Sequence, residues 1–121
     1  MARITKFEDL KIWQESHGLA LEIYKLTKNF PKEELYGLVT QLRRASSSVS
    51  ANIVEGFYRN TTKELIQFLY NSRGSAGEVV YFLVLSKDLG YISDNQYLDY
   101  RNRYETLLRS INALINSLRK K

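Results

Sequence analysis

Residues 41–56 read Gln41-Leu42-Arg43-Arg44-Ala45-Ser46-Ser47-Ser48-Val49-Ser50-Ala51-Asn52-Ile53-Val54-Glu55-Gly56, and this stretch carries the strongest structural signal of the chain. Apolar side chains recur through it every three or four residues, which predicts an amphipathic helix; they are Leu38, Leu42, Ala45, Val49 and Ile53. A polar stripe with the same spacing runs beside them, through Gln41, Arg44, Ser48, Asn52 and Glu55. Serine and asparagine are poor residues for a helix interior, because their side chains compete for backbone hydrogen bonds. The polar stripe is therefore either a hydrogen-bonded seam between helices or a functional site.

The helical period continues through the rest of the chain, which divides into four segments. Pro31 stands before an acidic first turn, and two further starts match capping boxes, Thr61 with Glu64 and Ser93 with Gln96. Helices are predicted at residues 8–29, 32–55, 62–89 and 94–119. Because long helices with short connections pack antiparallel, we expect an all-α, up-down-up-down antiparallel four-helix bundle. Its length predicts a single domain over residues 1–121.

The composition restricts the chemistry that this chain can perform. The sequence has no cysteine and a single histidine, His17, which is expected to be packed or partly exposed rather than a metal ligand. Glu55 and Glu78 would face each other in a bundle, but no histidine follows a glutamate by three residues, as di-iron bundles require. The serines between residues 46 and 50 would need a general base to act as nucleophiles, and the sequence does not supply one. The sequence thus predicts a protein that is not an enzyme and has no cofactor.

The sequence also indicates where the protein would be found. Its first residues show no apolar signal region, and no run reaches the ~20 apolar residues of a membrane span. We therefore expect a cytoplasmic protein without membrane contact.

Basic residues are concentrated in the last segment. The chain has a formal net charge of +5, and the segment from Asp94 onward contains six basic and three acidic residues. The basic residues are Arg101, Arg103, Arg109, Arg119, Lys120 and Lys121. This excess is compatible with a solvated surface or with a nucleic-acid interface. Tyr97, Tyr100 and Tyr104 lie among these cations and are candidates either for stacking on unpaired bases or for the core, and for Tyr104 we expect the core.

Two further features suggest how helices pack. The first and fourth segments carry apolar or aromatic residues on more than one face, which favours self-association. Counting outward from the turn near residues 57–61 places Ser48 near Ser72 and Arg44 near residues 75–78. We therefore expect an ion pair of Arg44 with Glu78 across a close contact of the second and third helices, with Ser48 and Ser75 hydrogen-bonded nearby. Gly74 and Gly77 are expected to permit that close approach, since glycine is otherwise unfavourable inside a helix.

Several motifs resemble a known family. They are residues 7–14 (Phe-Glu-Asp-Leu-Lys-Ile-Trp-Gln), 36–38 (Tyr-Gly-Leu), 41–45, 48–56 and 74–78 (Gly-Ser-Ala-Gly-Glu). Together they resemble the bacterial four-helix-bundle proteins encoded in intervening sequences of 23S ribosomal RNA genes, and nearly the whole chain takes part. The resemblance implies a homopentamer, no established catalytic activity and an association with ribosomal RNA. The family is also similar to the accessory protein of diversity-generating retroelements, a basic pentameric bundle that binds reverse transcriptase and nucleic acid.

The same resemblance makes Arg44, Ser48, Asn52, Glu55, Ser75 and Glu78 signature positions, which we interpret as a structural polar seam. Two functions follow as alternatives. The first is an oligomeric bundle that binds RNA or another nucleic acid through its basic C-terminal surface. The second is a protein–protein interaction adaptor with no direct role in nucleic-acid binding.

Overall fold

The computed structural model describes residues 4–120, and in this range it contains helices and turns but no strand. Four long helices follow one another: α1 (Lys11–Thr27), α2 (Thr40–Phe57), α3 (Thr62–Asp88) and α4 (Asp94–Arg119). Helix α2 packs against α1 and α3, α3 packs against α4, and a less extensive contact of α1 with α4 closes the ring. The predicted antiparallel four-helix bundle is confirmed.

The helix ends follow the local sequence signals closely. Thr61 Oγ1 accepts a hydrogen bond from the backbone N–H of Glu64 at the start of α3. At the start of α4, Ser93 and Gln96 form a complete capping box, as predicted. Gly90 has a φ of +81° after α3, where the N–H of Tyr91 donates back to the carbonyl of Ser86. This left-handed position favours glycine because a side chain would be strained there.

The predicted start of the second helix at residue 32 is wrong. Residues Lys32–Glu34 form one 3₁₀ turn, Leu35–Val39 form a π-helical turn with a break at Gly37, and the α-helix begins only at Thr40. The side chain of Glu34 accepts a hydrogen bond from the N–H of Leu38. A Cβ at position 37 would lie 2.8 Å from Glu34 Oε1, so a larger residue would have to displace this carboxylate from its hydrogen bond with Leu38. The first helix also begins later than predicted, since Phe7–Asp9 form a separate 3₁₀ turn.

One apolar core runs the length of the bundle and draws on all four helices. The side chains of Ile23, Leu42, Leu69, Leu83 and Ile111 have no exposed surface. The hydrophobic stripe predicted on α2 lies in this core, since Leu38, Leu42, Ala45, Val49 and Ile53 are all buried. Burial of these side chains is the main term that stabilises the bundle.

Small hydroxyl side chains replace larger apolar ones where α2 meets its neighbours. Ser16 of α1 and Ser50 of α2 are hydrogen-bonded to each other at 3.0 Å, and Ser72 of α3 donates to the carbonyl oxygen of Val49 at 2.8 Å. All three serines are buried, and their hydroxyls satisfy one another or the backbone. Ser50 of α2 thus has a tertiary partner, whereas Ser46 and Ser47 donate to the carbonyl oxygen of Arg43 one turn earlier in their own helix.

The glycines of α3 do not lie where the sequence suggested. Gly74 and Gly77 are exposed, and no atom of the neighbouring helices lies within 4 Å of a Cβ built on either. The close approach of α2 and α3 occurs instead at Gly56, where a Cβ would be 3.0 Å from Leu65 Cδ1 and from Phe68 Cβ. The expectation for Gly74 and Gly77 is therefore wrong within this chain.

Candidate nucleic-acid interface and polar seam

The polar stripe of α2 faces the edge of its contact with α3. Arg44 Nη2 lies 3.2 Å from Glu78 Oε2, and Ser75 Oγ lies 3.1 Å from Ser48 Oγ. Asn52 Nδ2 donates to Ser48 Oγ and to its carbonyl oxygen, which holds the serine hydroxyl in place. The register predicted from the turn is correct at these positions. The side chains of Arg44 and Glu78 are 54% and 41% exposed, however, so solvent screens the charges and the pair is not a buried one.

Glu55 does not take part in this contact. Its carboxylate is exposed and pairs with Arg59 at 3.6 Å, one turn further along the same chain. The guanidinium of Arg59 also lies 3.9 Å from Glu64 and 4.8 Å from the centre of the Phe68 ring. Within the described part of the chain, no group of three or more histidine, aspartate or glutamate side chains is placed to hold a metal ion.

Arg101 and Arg103 are engaged by acidic neighbours. The guanidinium of Arg101 lies 3.5 Å from Glu105 and donates a hydrogen bond to the Tyr97 hydroxyl. That of Arg103 lies 3.8 Å from Glu22 of α1 and 3.7 Å from Asp99. Because the two arginines are two residues apart on a helix, they also point in nearly opposite directions, and Arg103 reaches α1. They therefore do not form one patch with the other cations predicted for the interface.

The cations near the end of α4 have different surroundings. Arg109 donates to Thr106 Oγ1, and Arg119 donates to the Tyr70 hydroxyl at 3.3 Å. Lys120 is exposed beside Arg119. Lys121, which was also predicted for the interface, lies outside the described residues.

Helix α3 supplies further cations at the same end, which the sequence analysis missed. Lys63, Tyr70 and Arg119 line one groove between α3 and α4. The guanidinium of Arg73 lies 4.8 Å from the centre of the Tyr70 ring and donates to Asn112 Oδ1 at 2.8 Å. We call the set Lys63, Tyr70, Arg73, Arg119 and Lys120 the α3–α4 basic surface. No residue of this set is in an ion pair with any carboxylate between residues 4 and 120.

The tyrosines proposed for base stacking are mostly unavailable. Tyr104 is fully buried, Tyr97 is nearly so, and Tyr100 is half-buried. Burial raises the pKa of both Tyr104 and Tyr100, so these hydroxyls stay protonated. Of these tyrosines, Tyr97 and Tyr104 therefore belong to the core. Tyr70 packs against Arg73, and its hydroxyl accepts a hydrogen bond from Arg119.

A sequence model of the 23S rRNA-intervening sequence proteins matches residues 8–113 of the chain. The chain belongs to this family. The motifs named in the sequence lie almost wholly within the matched range.

A solved member of the S23 ribosomal protein family supports the fold of this intervening sequence protein. That structure, a protein of unknown function from Bacteroides thetaiotaomicron, superposes with a TM-score of 0.81 at 24% identity. The match covers 87% of this chain and 95% of the other. At this identity the likeness concerns the fold alone. No curated protein matches the chain in sequence.

Between residues 4 and 120, none of the helices combines the length and the apolar character needed to cross a bilayer.

Proposed function

We propose that this member of the intervening sequence protein family is a non-enzymatic, cytoplasmic RNA-binding bundle, and that the α3–α4 basic surface contacts the RNA. The observation that carries the proposal is the difference between two groups of cations. Arg101 and Arg103 are paired with acids, whereas Lys63, Arg73 and Arg119 surround Tyr70 without a carboxylate partner in the described chain. Unpaired cations are the groups that release counterions when they meet phosphates.

The arrangement around Tyr70 suits RNA better than a simple charge patch would. Arg73 is oriented by the Tyr70 ring and the amide oxygen of Asn112, and Arg119 is oriented by the Tyr70 hydroxyl. Their remaining N–H groups are therefore free to donate to phosphate oxygens. The Tyr70 ring is half-buried and offers a face near these cations. Arginine and aromatic side chains together are typical of proteins that bind unpaired nucleotides.

We further propose that the bundle self-associates, and that the pentamer implied by the family resemblance is its functional form. Apolar side chains on the outer faces of α1 and α4 support association: Leu21 is 52% exposed, Tyr24 41% and Leu98 53%. Several copies would present several basic surfaces to one RNA, so that a weak contact becomes a stable one through avidity. Analytical ultracentrifugation of the purified chain tests this proposal, and a monomer at all concentrations would contradict it.

The RNA proposal is tested by replacing two arginines of the basic surface. We expect Arg73→Ala with Arg119→Ala to weaken binding of a labelled 23S rRNA hairpin by about tenfold or more, and to lower the slope of log affinity against log salt by roughly two. The matched control is Arg101→Ala with Arg103→Ala, which removes the same charge from cations that are already paired. Fluorescence anisotropy over a range of salt concentrations gives both quantities.

Two results would contradict this assignment. If both double variants weaken binding equally, only net charge matters and the α3–α4 basic surface is not the interface. If the unmodified chain shows no salt-dependent binding to RNA, the protein is better explained as an adaptor between proteins.

A further inference from the structure

A cavity of about 430 Å³ opens at the other end of the bundle, between the end of α1 and the start of α2. Its floor is apolar: Phe30 and Val39 are buried there, and Pro31 forms part of the wall. Leu35 lies at its edge with 46% of its surface exposed. A concave apolar site with exposed apolar edges is typical of a docking position for a partner side chain.

Three cations surround this cavity. Lys28, Lys32 and Arg43 contribute to its lining, and no carboxylate among the described residues does so. Glu33 follows Lys32 in the chain but lies outside the lining, and the carboxylate of Glu34 is held by Leu38 and Tyr91. The mouth of the cavity is therefore positively charged.

Arg43 is held in a defined position at this mouth. Its Nε donates to Thr27 Oγ1 at 3.0 Å, and its Nη2 donates to the carbonyl oxygen of Tyr24 at 3.3 Å. The guanidinium lies 4.7 Å from the centre of the Tyr24 ring. Thr27 is 2% exposed, so the anchor of the arginine is rigid. A fixed guanidinium loses little side-chain entropy when it binds a carboxylate.

We propose that this cavity docks an acidic segment of a protein partner, with one apolar side chain inserted over Phe30 and Val39 and flanking carboxylates at Lys28, Lys32 and Arg43. Charge complementarity selects an acidic occupant. The apolar floor selects a peptide over a phosphate backbone, which has no apolar group to bury. A second copy related by a twofold axis would place this cationic rim against itself, which is unfavourable, and a contact between copies around the fivefold axis of a pentamer is an outcome that the test below distinguishes.

The site is separate from the α3–α4 basic surface. The C-terminal end of α1 and the N-terminal end of α2 lie at one end of an antiparallel bundle, whereas Lys63 and Arg119 lie at the other. The proposal therefore stands or falls independently of RNA binding. If both hold, the bundle carries an RNA at one end and a protein at the other.

The test uses a fluorescent peptide with one leucine flanked on both sides by glutamates. Its reference peptide has glycine in place of the leucine. We expect the leucine peptide to bind, and the glycine peptide to bind at least fivefold more weakly because it buries no side chain. The double variant Lys28→Glu with Lys32→Glu should weaken binding of the leucine peptide by about tenfold or more. The matched control is Lys63→Glu with Lys120→Glu, which changes the net charge equally at the opposite end and should leave peptide binding within about twofold. All four lysines are exposed, so both variants should fold.

Other results overturn the proposal. They are no peptide binding, equal binding of both peptides, or equal losses in the two charge-reversal variants. If the Lys28 and Lys32 reversals weaken binding of the 23S rRNA hairpin while the leucine peptide does not bind, this end belongs to the RNA interface instead. If they change the sedimentation of the free protein, the cavity is a contact between copies.

Discussion

The hydroxyl of Tyr91 donates a hydrogen bond of 2.7 Å to Glu34 Oε2, although the two residues are 57 positions apart. This bond ties the turn between α3 and α4 to the irregular segment that precedes α2. The other oxygen of the same carboxylate accepts from the N–H of Leu38. The ring of Tyr91 also packs against Phe30, with 5.4 Å between ring centres. Glu34 thus holds the π-helical turn and the neighbouring loop in one arrangement.

The stability of the protein should depend on pH through this pair. Hydrogen bonds from Tyr91 and Leu38 lower the pKa of Glu34 below its ordinary value of 4.5. A carboxyl whose folded pKa is lowered stabilises the fold above its unfolded pKa, and this contribution is lost as pH falls through the folded pKa. The hydrogen bond to Glu34 raises the pKa of Tyr91 above 10.0, so the phenol contributes below that value and loses its contribution as pH rises further.

We therefore expect Tyr91→Phe to lower the Tm near neutral pH and to flatten the dependence of Tm on pH below about 4.5 and above about 10. Thermal denaturation followed by circular dichroism across this range measures both effects. Tyr58→Phe, at an exposed tyrosine of the opposite end, is the control. Parallel pH profiles for wild type and Tyr91→Phe would show that the pair does not contribute to stability.

Tyr104 offers a second prediction because its hydroxyl finds no hydrogen-bond partner among residues 4–120. The residue is fully buried, and its oxygen is also buried. An unsatisfied buried hydroxyl costs free energy of about 1–3 kcal/mol. We expect Tyr104→Phe to leave the free energy of unfolding unchanged or to raise it by up to about 1 kcal/mol, since the ring packing is kept. Urea denaturation measures the change, and a clear loss of stability would reveal an interaction of the hydroxyl.

The exposed glycines of α3 should be replaceable by alanine. Because no atom of a neighbouring helix in the described chain lies within 4 Å of a Cβ at Gly74 or Gly77, each change to alanine should raise the free energy of unfolding by about 0.5–1 kcal/mol. Gly56→Ala is the opposing control, since its Cβ would lie 3.0 Å from Leu65 and Phe68 and should destabilise the contact of α2 with α3.

If Gly74→Ala instead lowers the Tm in a concentration-dependent way, this face of α3 is covered by another copy in solution. Denaturation at several protein concentrations separates that outcome from a purely local effect.

The Arg44–Glu78 pair should contribute little to stability despite its 3.2 Å separation. Both side chains are about half exposed, and exposed pairs typically contribute 0.2–1 kcal/mol. A double-mutant cycle with Arg44→Ala and Glu78→Ala should give a coupling energy of that order, reduced in high salt. Ser72→Ala should cost about 1 kcal/mol independently of salt, because its buried hydroxyl donates to Val49. A coupling energy well above 1 kcal/mol would indicate a more buried pair in the assembled protein.

Helix identity and most helix ends were predictable from local sequence. The caps at Thr61 and Ser93 act within three residues of their partners, so their hydrogen bonds are formed wherever the helix lies. The start of α2 was not predictable. The irregular turns before it include a break at Gly37 and a contact of Glu34 with the distant hydroxyl of Tyr91, which no local signal reveals.

The candidate site also has one part that the sequence predicted and one part that it did not. Register counting from a short turn placed Ser48 beside Ser75 correctly, since two antiparallel helices leave few alternatives. The basic surface could not be found from the cations of α4 alone. Arg101 and Arg103 are two residues apart but point to opposite sides of the helix, while Arg73 joins Arg119 around Tyr70 from another helix.

The serine-rich stretch at residues 41–56 shows what the sequence determines and what the tertiary structure determines. Its apolar period alone determined that α2 is a helix with one buried face, because a spacing of three or four residues fits only that geometry. Only the tertiary structure decided which polar residues are buried: Ser50 pairs with Ser16 in the interior, whereas Arg44 stays at the solvent edge. The reason is physical. Periodicity fixes the direction of a side chain from its own helix, but its burial and its charge partners depend on what the neighbouring helices present there.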